Sequence, residues 1–152
     1  MAEQSFDVLV IGGGPAGCAA AISCAQRGLR VALLERERFP RFRPGESLHP
    51  GIEPLLQQLG VPTFSAQATV RFSGHWVQWD GPLRFNGLGG DSGGTWQGFH
   101  IARAALDTAL LQRAAAHGVR VLQPCQPRRL LTHDRRVIGV ETDKGPVLCA
   151  YL

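Results

Sequence analysis

The first 35 residues carry two short apolar runs on either side of a helical segment. Residues 6–11 are mostly apolar and β-branched and lead into three glycines, which is typical of a buried parallel strand. Residues 15–27 contain Ala, Ile and Cys without a helix breaker, so they predict a helix that ends at a Gly28 C-cap. Residues 30–35 predict a second strand. Strand, glycine turn, helix and strand in this order indicate a βαβ unit with a right-handed crossover.

The pattern changes in the middle of the chain and then returns. Residues 62–97 hold all three tryptophans, many glycines and short alternating segments, so they predict antiparallel strands and loops inserted into an α/β framework. An Arg- and Pro-rich connection at residues 36–50 precedes this insertion. The other predicted elements are a short amphipathic helix at 52–59, a long helix at 101–117, a third strand at 119–122 and a β-meander with strands near 128–132, 136–142 and 147–151.

Composition narrows the class of protein. The 152 residues allow one domain, and a hydrophobic content of 44% excludes disorder and a coiled coil. No stretch reaches the roughly 20 apolar residues of a membrane helix, and the N-terminus lacks the pattern of a signal peptide, so we expect a cytoplasmic protein. The net charge of +4 comes from scattered arginines, which argues against a nucleic-acid surface. The cysteines have no zinc spacing, so we predict no metal site and reduced core thiols at Cys18, Cys24, Cys125 and Cys149.

The strongest chemical signal is the motif Gly12-x-Gly14-x-x-Gly17 between the first strand and the first helix. In such a motif the first glycine permits a tight turn, the second lets a pyrophosphate approach the backbone, and the third lets helix and strand pack closely. The helix N-terminus adds free N–H groups and partial positive charge. Glu35 lies 18 residues beyond Gly17, where its carboxylate can accept hydrogen bonds from a ribose diol. Because a carboxylate repels a 2′-phosphate, we expect FAD or NAD rather than NADP.

A second segment distinguishes between these two cofactors. Residues 41–50, RFRPGESLHP, closely resemble the R-x-G-E-S-x-x-P segment of the para-hydroxybenzoate hydroxylase-like flavoproteins, which include aromatic monooxygenases, flavin-dependent halogenases and geranylgeranyl reductases. The resemblance implies FAD, with Arg43 as the best cofactor contact in this segment and Arg41 as the second. It also implies that Gly45 gives the backbone close access to the cofactor, and that Glu46 and Ser47 lie toward the isoalloxazine.

The start of the long helix carries a third resemblance. Residues 101–107, IARAALD, resemble the family pattern R-x-x-L/F-D, whose Arg, here Arg103, commonly touches FAD. Asp107 lies four residues later and can pair with it on one helix face. The resemblance also implies that the segment after the third strand, here near Pro127, lies at the adenine edge, where only a carbonyl is available because proline has no N–H. The predicted cofactor-binding residues are therefore Gly12, Gly14, Pro15, Ala16, Gly17, Glu35, Arg36, Arg43, Gly45, Glu46, Ser47, Arg103 and Pro127.

Two narrower resemblances point to branches of the superfamily. Residues 45–61 most resemble flavoproteins that mature quinone-cofactor amine oxidases. The halogenase branch fits less well, because Trp76 and Trp79 have the wrong spacing for its W-x-W-x-I-P motif and the single lysine, Lys144, lies in a turn. We therefore interpret the tryptophans as core or substrate-domain packing. Of the histidines, His49 alone lies in the flavin-side loop.

These observations predict an α/β, Rossmann-like FAD-binding fold. Residues 1–61 and 98–152 are expected to form the dinucleotide-binding domain, and 62–97 part of an antiparallel substrate domain. The family continues with a strand of the type A-R-x-V-V-D-A-S-G, which would begin near residues 149–152. We therefore expect a truncated parallel sheet with an unpaired edge that favours self-association.

The resemblance implies an FAD-dependent oxidoreductase, in particular a monooxygenase that uses FAD and an NAD(P)H reductant on an organic substrate. A non-catalytic module that binds adenine nucleotides weakly is the alternative. A nicotinamide-only dehydrogenase is disfavoured because such enzymes do not need the R-x-G-E-S segment. The substrate and the catalytic residues are left undetermined by the sequence.

Overall fold

The computed structural model describes residues 5–152, which divide into two compact units, 5–41 with 106–152 and 42–105. The helices are α1 (Pro15–Ala25), α2 (Ile52–Gln58) and α3 (Arg103–Ala116). The strands are β1 (Ser5–Ile11), β2 (Val31–Leu34), β3 (Glu46–Leu48), β4 (Thr69–Phe72), β5 (Gly74–Val77), β6 (Arg84–Gly87), β7 (Gly90–Asp91), β8 (Gly94–Thr95), β9 (Gly98–Ile101), β10 (Arg120–Leu122), β11 (Pro127–His133), β12 (Arg136–Thr142) and β13 (Gly145–Tyr151). None of the helices in this range has the length and apolarity that crossing a membrane requires.

The first unit contains a six-stranded sheet in the order β10-β2-β1-β13-β12-β11. Its first four strands run parallel, and β13, β12 and β11 form the antiparallel meander. β2 is buried along its whole length, as expected for a parallel strand covered on both faces. The βαβ unit, the third strand and the meander confirm the predicted α/β, Rossmann-like fold.

The strand β13 corrects one prediction about the sheet. One of its edges pairs antiparallel with β12, and its other edge pairs parallel with β1, through Ser5 opposite Leu148 and Val8 opposite Tyr151. The expectation that the strand returning to the parallel sheet begins only near residues 149–152 was therefore wrong, because β13 starts at Gly145 and already pairs with β1. The physical reason is that a strand has two hydrogen-bonding edges, so the last meander strand serves both ladders. Among the described strands, β10 and β11 form the edges of this sheet.

The core of the first unit lies between this sheet and its helices. Seven residues from the strands and their connections form one buried cluster: Leu9, Ala32, Leu34, Cys125, Val140, Val147 and Cys149. α1 buries Cys18, Ala21 and Ile22, and α3 buries an i, i+3, i+4 stripe that includes Leu110 and Ala114. The four cysteines are free, and all but the half-buried Cys24 are buried, as predicted for small core residues.

The second unit is built around a three-stranded sheet in the order β3-β9-β4, together with the hairpins β5–β6 and β7–β8. It covers residues 42–105 and includes β3 and β9, which pair with each other. The long helix begins at Arg103 rather than at residue 101, because Ile101 is the last residue of β9 and pairs with Glu46 and Thr69.

The tryptophans do not form a core. Trp76, Trp79 and Trp96 are 68%, 84% and 45% exposed. Trp76 packs against Phe85 across the β5–β6 hairpin, with ring centroids 5.3 Å apart. Core packing is therefore excluded for these three side chains by their exposure, and substrate-domain packing, the other interpretation, stays a prediction.

Candidate functional site: a glycine turn, a buried carboxylate and a cleft

The glycine turn that follows β1 has the backbone that its sequence requires. Gly12 has a φ of +103°, which glycine adopts readily and other residues rarely do. Its N–H donates to the carbonyl oxygen of Leu34 at 2.8 Å, which ties the turn to the end of β2. A Cβ on Gly17 would collide with the carbonyl oxygen of Gly12, so glycine at this position permits the close approach of α1 to the turn.

The N-terminus of α1 opens directly from this turn. Gly14 is the N-cap, with extended backbone, and its carbonyl accepts the first intrahelical bond from Cys18 N–H at 2.9 Å. Pro15 has no N–H, so the N–H groups of Ala16 and Gly17 are the first-turn donors without an intrahelical acceptor. Free donors and the positive end of the helix dipole together fit a phosphate group.

Glu35 is a buried carboxylate beside the same turn, with 3% of the residue exposed. Its Oε2 accepts the Gly13 N–H at 2.8 Å, and its Oε1 accepts the Glu37 N–H at 2.9 Å and Arg41 Nη1 at 3.0 Å. Arg41 Nη2 also donates to Asp107 Oδ2 at 3.4 Å, where Asp107 lies on α3. Because a carboxylate has about four acceptor sites, the protein occupies most of the capacity of Glu35, and one site on Oε2 is left.

A cleft of about 320 Å³ lies at the carboxyl ends of β1 and β2, where ligands bind in doubly wound sheets. The backbone N–H of Cys125 donates to the carbonyl of Glu35 at 2.8 Å and holds the segment after β10 beside it. Five predicted site residues line the cleft, namely Gly12, Gly14, Glu35, Arg36 and Pro127. Sequence reasoning missed Gln126 and ranked Arg41 second, although both line the cleft; the position of Arg41 six residues after Glu35 was the available signal.

The Cys18 thiol lies beneath the turn and donates to the carbonyl oxygen of Gly13 at 3.2 Å. Burial, together with the nearby carboxylates of Asp107 and Glu35, raises the pKa of Cys18 to about 12. A thiol with such a pKa stays protonated and unreactive at neutral pH. Cys18 is therefore a structural support of the turn.

The remaining predicted residues belong to the second unit, around β3 and β9. Arg103 Nη1 donates to Glu46 Oε2 at 3.0 Å. Ser47 Oγ lies 2.8 Å from His100 Nδ1, and the two residues are opposite each other in the β3–β9 ladder. A Cβ on Gly45 would lie 3.3 Å from the carbonyl oxygen of Ile101. His100 was missed by sequence reasoning, because only the strand register reveals its pairing with Ser47.

Of the other predicted residues in this unit, Arg43 lies between β2 and β3, and His49 precedes α2, with its carbonyl accepting the Ile52 N–H at 3.0 Å.

Comparison with known proteins decides the family. The sequence model of the tryptophan halogenase family matches residues 7–87, which is more than half of the chain. This chain belongs to that family. One relative, the tryptophan 2-halogenase of Chondromyces crocatus, is 32% identical to this chain; the match covers 93% of this chain and 27% of the relative. A putative FAD-dependent oxidoreductase, LodB, of Marinomonas mediterranea is 31% identical over 98% of this chain and 42% of the relative. The solved structure of the myxobacterial chondrochloren halogenase CndH is 30% identical, with a TM-score of 0.78 over 96% of this chain and 35% of that structure.

These similarities confirm the predicted flavoprotein family and its cofactor, FAD. They also correct the order of its branches, because the halogenases, which sequence reasoning placed behind the monooxygenases, are the closer match. The tryptophan spacing and the single lysine were used as evidence against a halogenase. That evidence covered only the 152 residues of this chain, which spans about 27% to 42% of the length of these relatives.

Proposed function

We propose that this chain forms the adenosine diphosphate end of the FAD site in a flavin-dependent oxidoreductase. The observation that carries the proposal is the cleft in which the glycine turn, the α1 N-terminus and Glu35 meet. When bound, FAD supplies the redox chemistry, and the protein supplies binding and orientation.

Different residues around the cleft are proposed to bind the phosphate, the ribose and the adenine of the nucleotide. The N–H groups of Ala16 and Gly17 bind a phosphate, and Gly14 lets it approach the backbone. Glu35 accepts a ribose hydroxyl through its remaining site on Oε2. At the adenine edge the Gln126 N–H is already donated to Asp143 Oδ1 at 2.8 Å, so the adenine is recognised by carbonyl groups and apolar contact near Pro127.

The residues of the second unit are proposed to serve the flavin end. The R-x-G-E-S segment and Arg103 resemble the parts of the family that run beside the ribityl chain and the isoalloxazine. In this chain Glu46 already pairs with Arg103, which holds the segment in a defined conformation before any ligand binds. Arg43, Gly45 and Ser47 are proposed as the other contacts.

The reaction of the whole protein is proposed to be oxidation of an organic substrate, with halogenation as the first candidate. The family match and the 32% identity to a tryptophan 2-halogenase favour it. Monooxygenation is the second candidate, favoured by the similarity to an FAD-dependent oxidoreductase. The source of electrons distinguishes the two candidates in an assay on the whole protein. NAD(P)H consumed without a second protein supports the monooxygenase. Halogenation of a trap molecule when chemically reduced FAD, O2 as the oxidant and a halide salt are supplied together supports the halogenase.

Calorimetric titration of the chain with ADP, and its visible spectrum with FAD, test the cofactor site. Glu35→Ala is expected to lose roughly 1–3 kcal/mol of ADP binding, the range of a charge-assisted hydrogen bond. Glu141→Ala, on the meander, is the matched control and should bind like the parent. Equal ADP affinity of the parent and Glu35→Ala would contradict the proposal. A chain that binds ADP weakly and takes up no FAD would support the nucleotide-binding module instead.

A further inference from the structure

We infer that Arg41 is a positioning residue for the nucleotide: its guanidinium holds the Glu35 carboxylate so that one oxygen stays directed at the ribose. This inference rests on the proposed function, because it takes Glu35 as the acceptor of a ribose hydroxyl. It assigns to Arg41 an action through Glu35, rather than a direct contact with a phosphate.

The first support is the way in which Glu35 is held. Three protein donors act on its two oxygens, and Arg41 Nη1 is the only charged one among them, at 3.0 Å from Oε1. Because Arg41 and the Glu37 N–H occupy Oε1, the free acceptor site of the carboxylate is confined to Oε2. Arg41 therefore helps, together with the two backbone donors, to fix the direction of that site.

The second support is the burial of the pair and its anchor. The Arg41 side chain is 11% exposed and the Glu35 side chain 3%. Arg41 is held from behind by Asp107 at 3.4 Å, and its guanidinium stacks on Phe39 at 4.5 Å from the ring centroid. The 3.4 Å separation is long for a charge-assisted hydrogen bond, so Asp107 acts mainly as a counter-charge.

The third support is a donor that this arrangement leaves unused. Arg41 Nε is buried and has no hydrogen-bond partner among the described residues. A buried donor without a partner is unfavourable, so the orientation of the guanidinium is not the one that gives Arg41 the most hydrogen bonds. Its orientation instead matches the two carboxylates that it joins. Removal of Arg41 would leave two buried carboxylates without this cation, so the Glu35 carboxylate would lose its orientation beside the glycine turn.

The test compares ADP with 2′,3′-dideoxy-ADP, which lacks both ribose hydroxyls, on the parent chain, Arg41→Met, Arg41→Lys and the control Arg27→Met. Arg27 is an exposed arginine beyond the far end of α1, where it donates to the Ser23 carbonyl. One charge-assisted hydrogen bond corresponds to about a tenfold preference of the parent for ADP. Arg41→Met should reduce this preference to about twofold or less while its affinity for the dideoxy nucleotide stays that of the parent, and Arg27→Met should keep the full preference.

The outcomes separate the inference from the proposed function. A parent chain that binds both nucleotides equally would remove the ribose role of Glu35 and with it the proposed site. A parent with the tenfold preference, and an Arg41→Met variant that keeps it, would overturn the inference alone. Equal weakening of both nucleotides would also overturn it, because Arg41 would then act on the phosphates by charge. If circular dichroism shows that Arg41→Met is unfolded, Arg41→Lys decides by the same criterion: lysine lacks the planar fork whose two nitrogens donate separately to Glu35 and Asp107, so the preference must fall.

Discussion

Gly17 lies where α1 approaches the glycine turn most closely, so Gly17→Ala tests the packing on which the nucleotide cleft depends. A Cβ at this position would overlap the carbonyl oxygen of Gly12, and it would also lie 3.1 Å from the Gly12 carbonyl carbon and 3.3 Å from Val10 Cγ1. The obstructing atoms are mainly backbone in a turn with φ of +103°, so they cannot give way as a flexible side chain would.

Two opposing terms set the magnitude. Alanine is favoured over glycine in a helix by about 1 kcal/mol, and overpacking a tight contact costs typically 1–3 kcal/mol. The backbone contact places Gly17→Ala at the upper end of that cost, so we expect a net loss of about 1–2 kcal/mol in the free energy of unfolding. At roughly 2–4 °C per kcal/mol for a chain of this size, the melting temperature should fall by about 2–8 °C.

Urea denaturation followed by circular dichroism measures this loss, and Gly81→Ala is the control. Gly81 has no atom within 4 Å of an added Cβ, so its substitution should leave the stability unchanged or slightly higher. The displaced turn should also weaken ADP binding by Gly17→Ala but not by Gly81→Ala. A Gly17→Ala chain as stable as the parent would refute the packing argument.

Three further predictions concern the site and its surroundings. Gly14→Val should fold normally, because the backbone of Gly14 (φ −73°) is accessible to valine, yet its ADP affinity should fall at least about tenfold because the side chain occupies the phosphate approach; unchanged ADP affinity in calorimetry would count against this role. Cys18 should resist iodoacetamide at pH 8 in the native chain and react in urea, since burial raises its pKa to about 12; mass spectrometry showing equal labelling in both states would disprove its burial. Glu53→Gln should destabilise the chain by at most about 1 kcal/mol at pH 7, and the difference should vanish at acidic pH. The hydrogen bond from Arg71 lowers the pKa of Glu53 below its ordinary 4.5, so the stabilisation is present above that pH and is lost as the pH falls through the folded-state pKa; a difference that persists at pH 2 would contradict the ion pair.

The boundaries of the elements in the first unit were predictable because their signals are local. The apolar run of β1, the glycine at φ +103° and the uninterrupted α1 are properties of adjacent residues. The same local reasoning failed where pairing decided the outcome: it placed Ile101 in a helix, whereas the residue is held in β9 by the strands on both sides. It also allowed core packing for three tryptophans that are exposed.

The sequence by itself determined the βαβ unit, the glycine turn and a carboxylate at the end of β2, because strand and helix periodicity and the conformational freedom of glycine are local properties of the chain. Only the tertiary structure decided that β13 pairs with β1 and that Arg41 joins Glu35 to Asp107, a residue 66 positions away. Such contacts depend on which strand edges and helix faces meet, and that is set by burial of the whole core rather than by any window of the sequence.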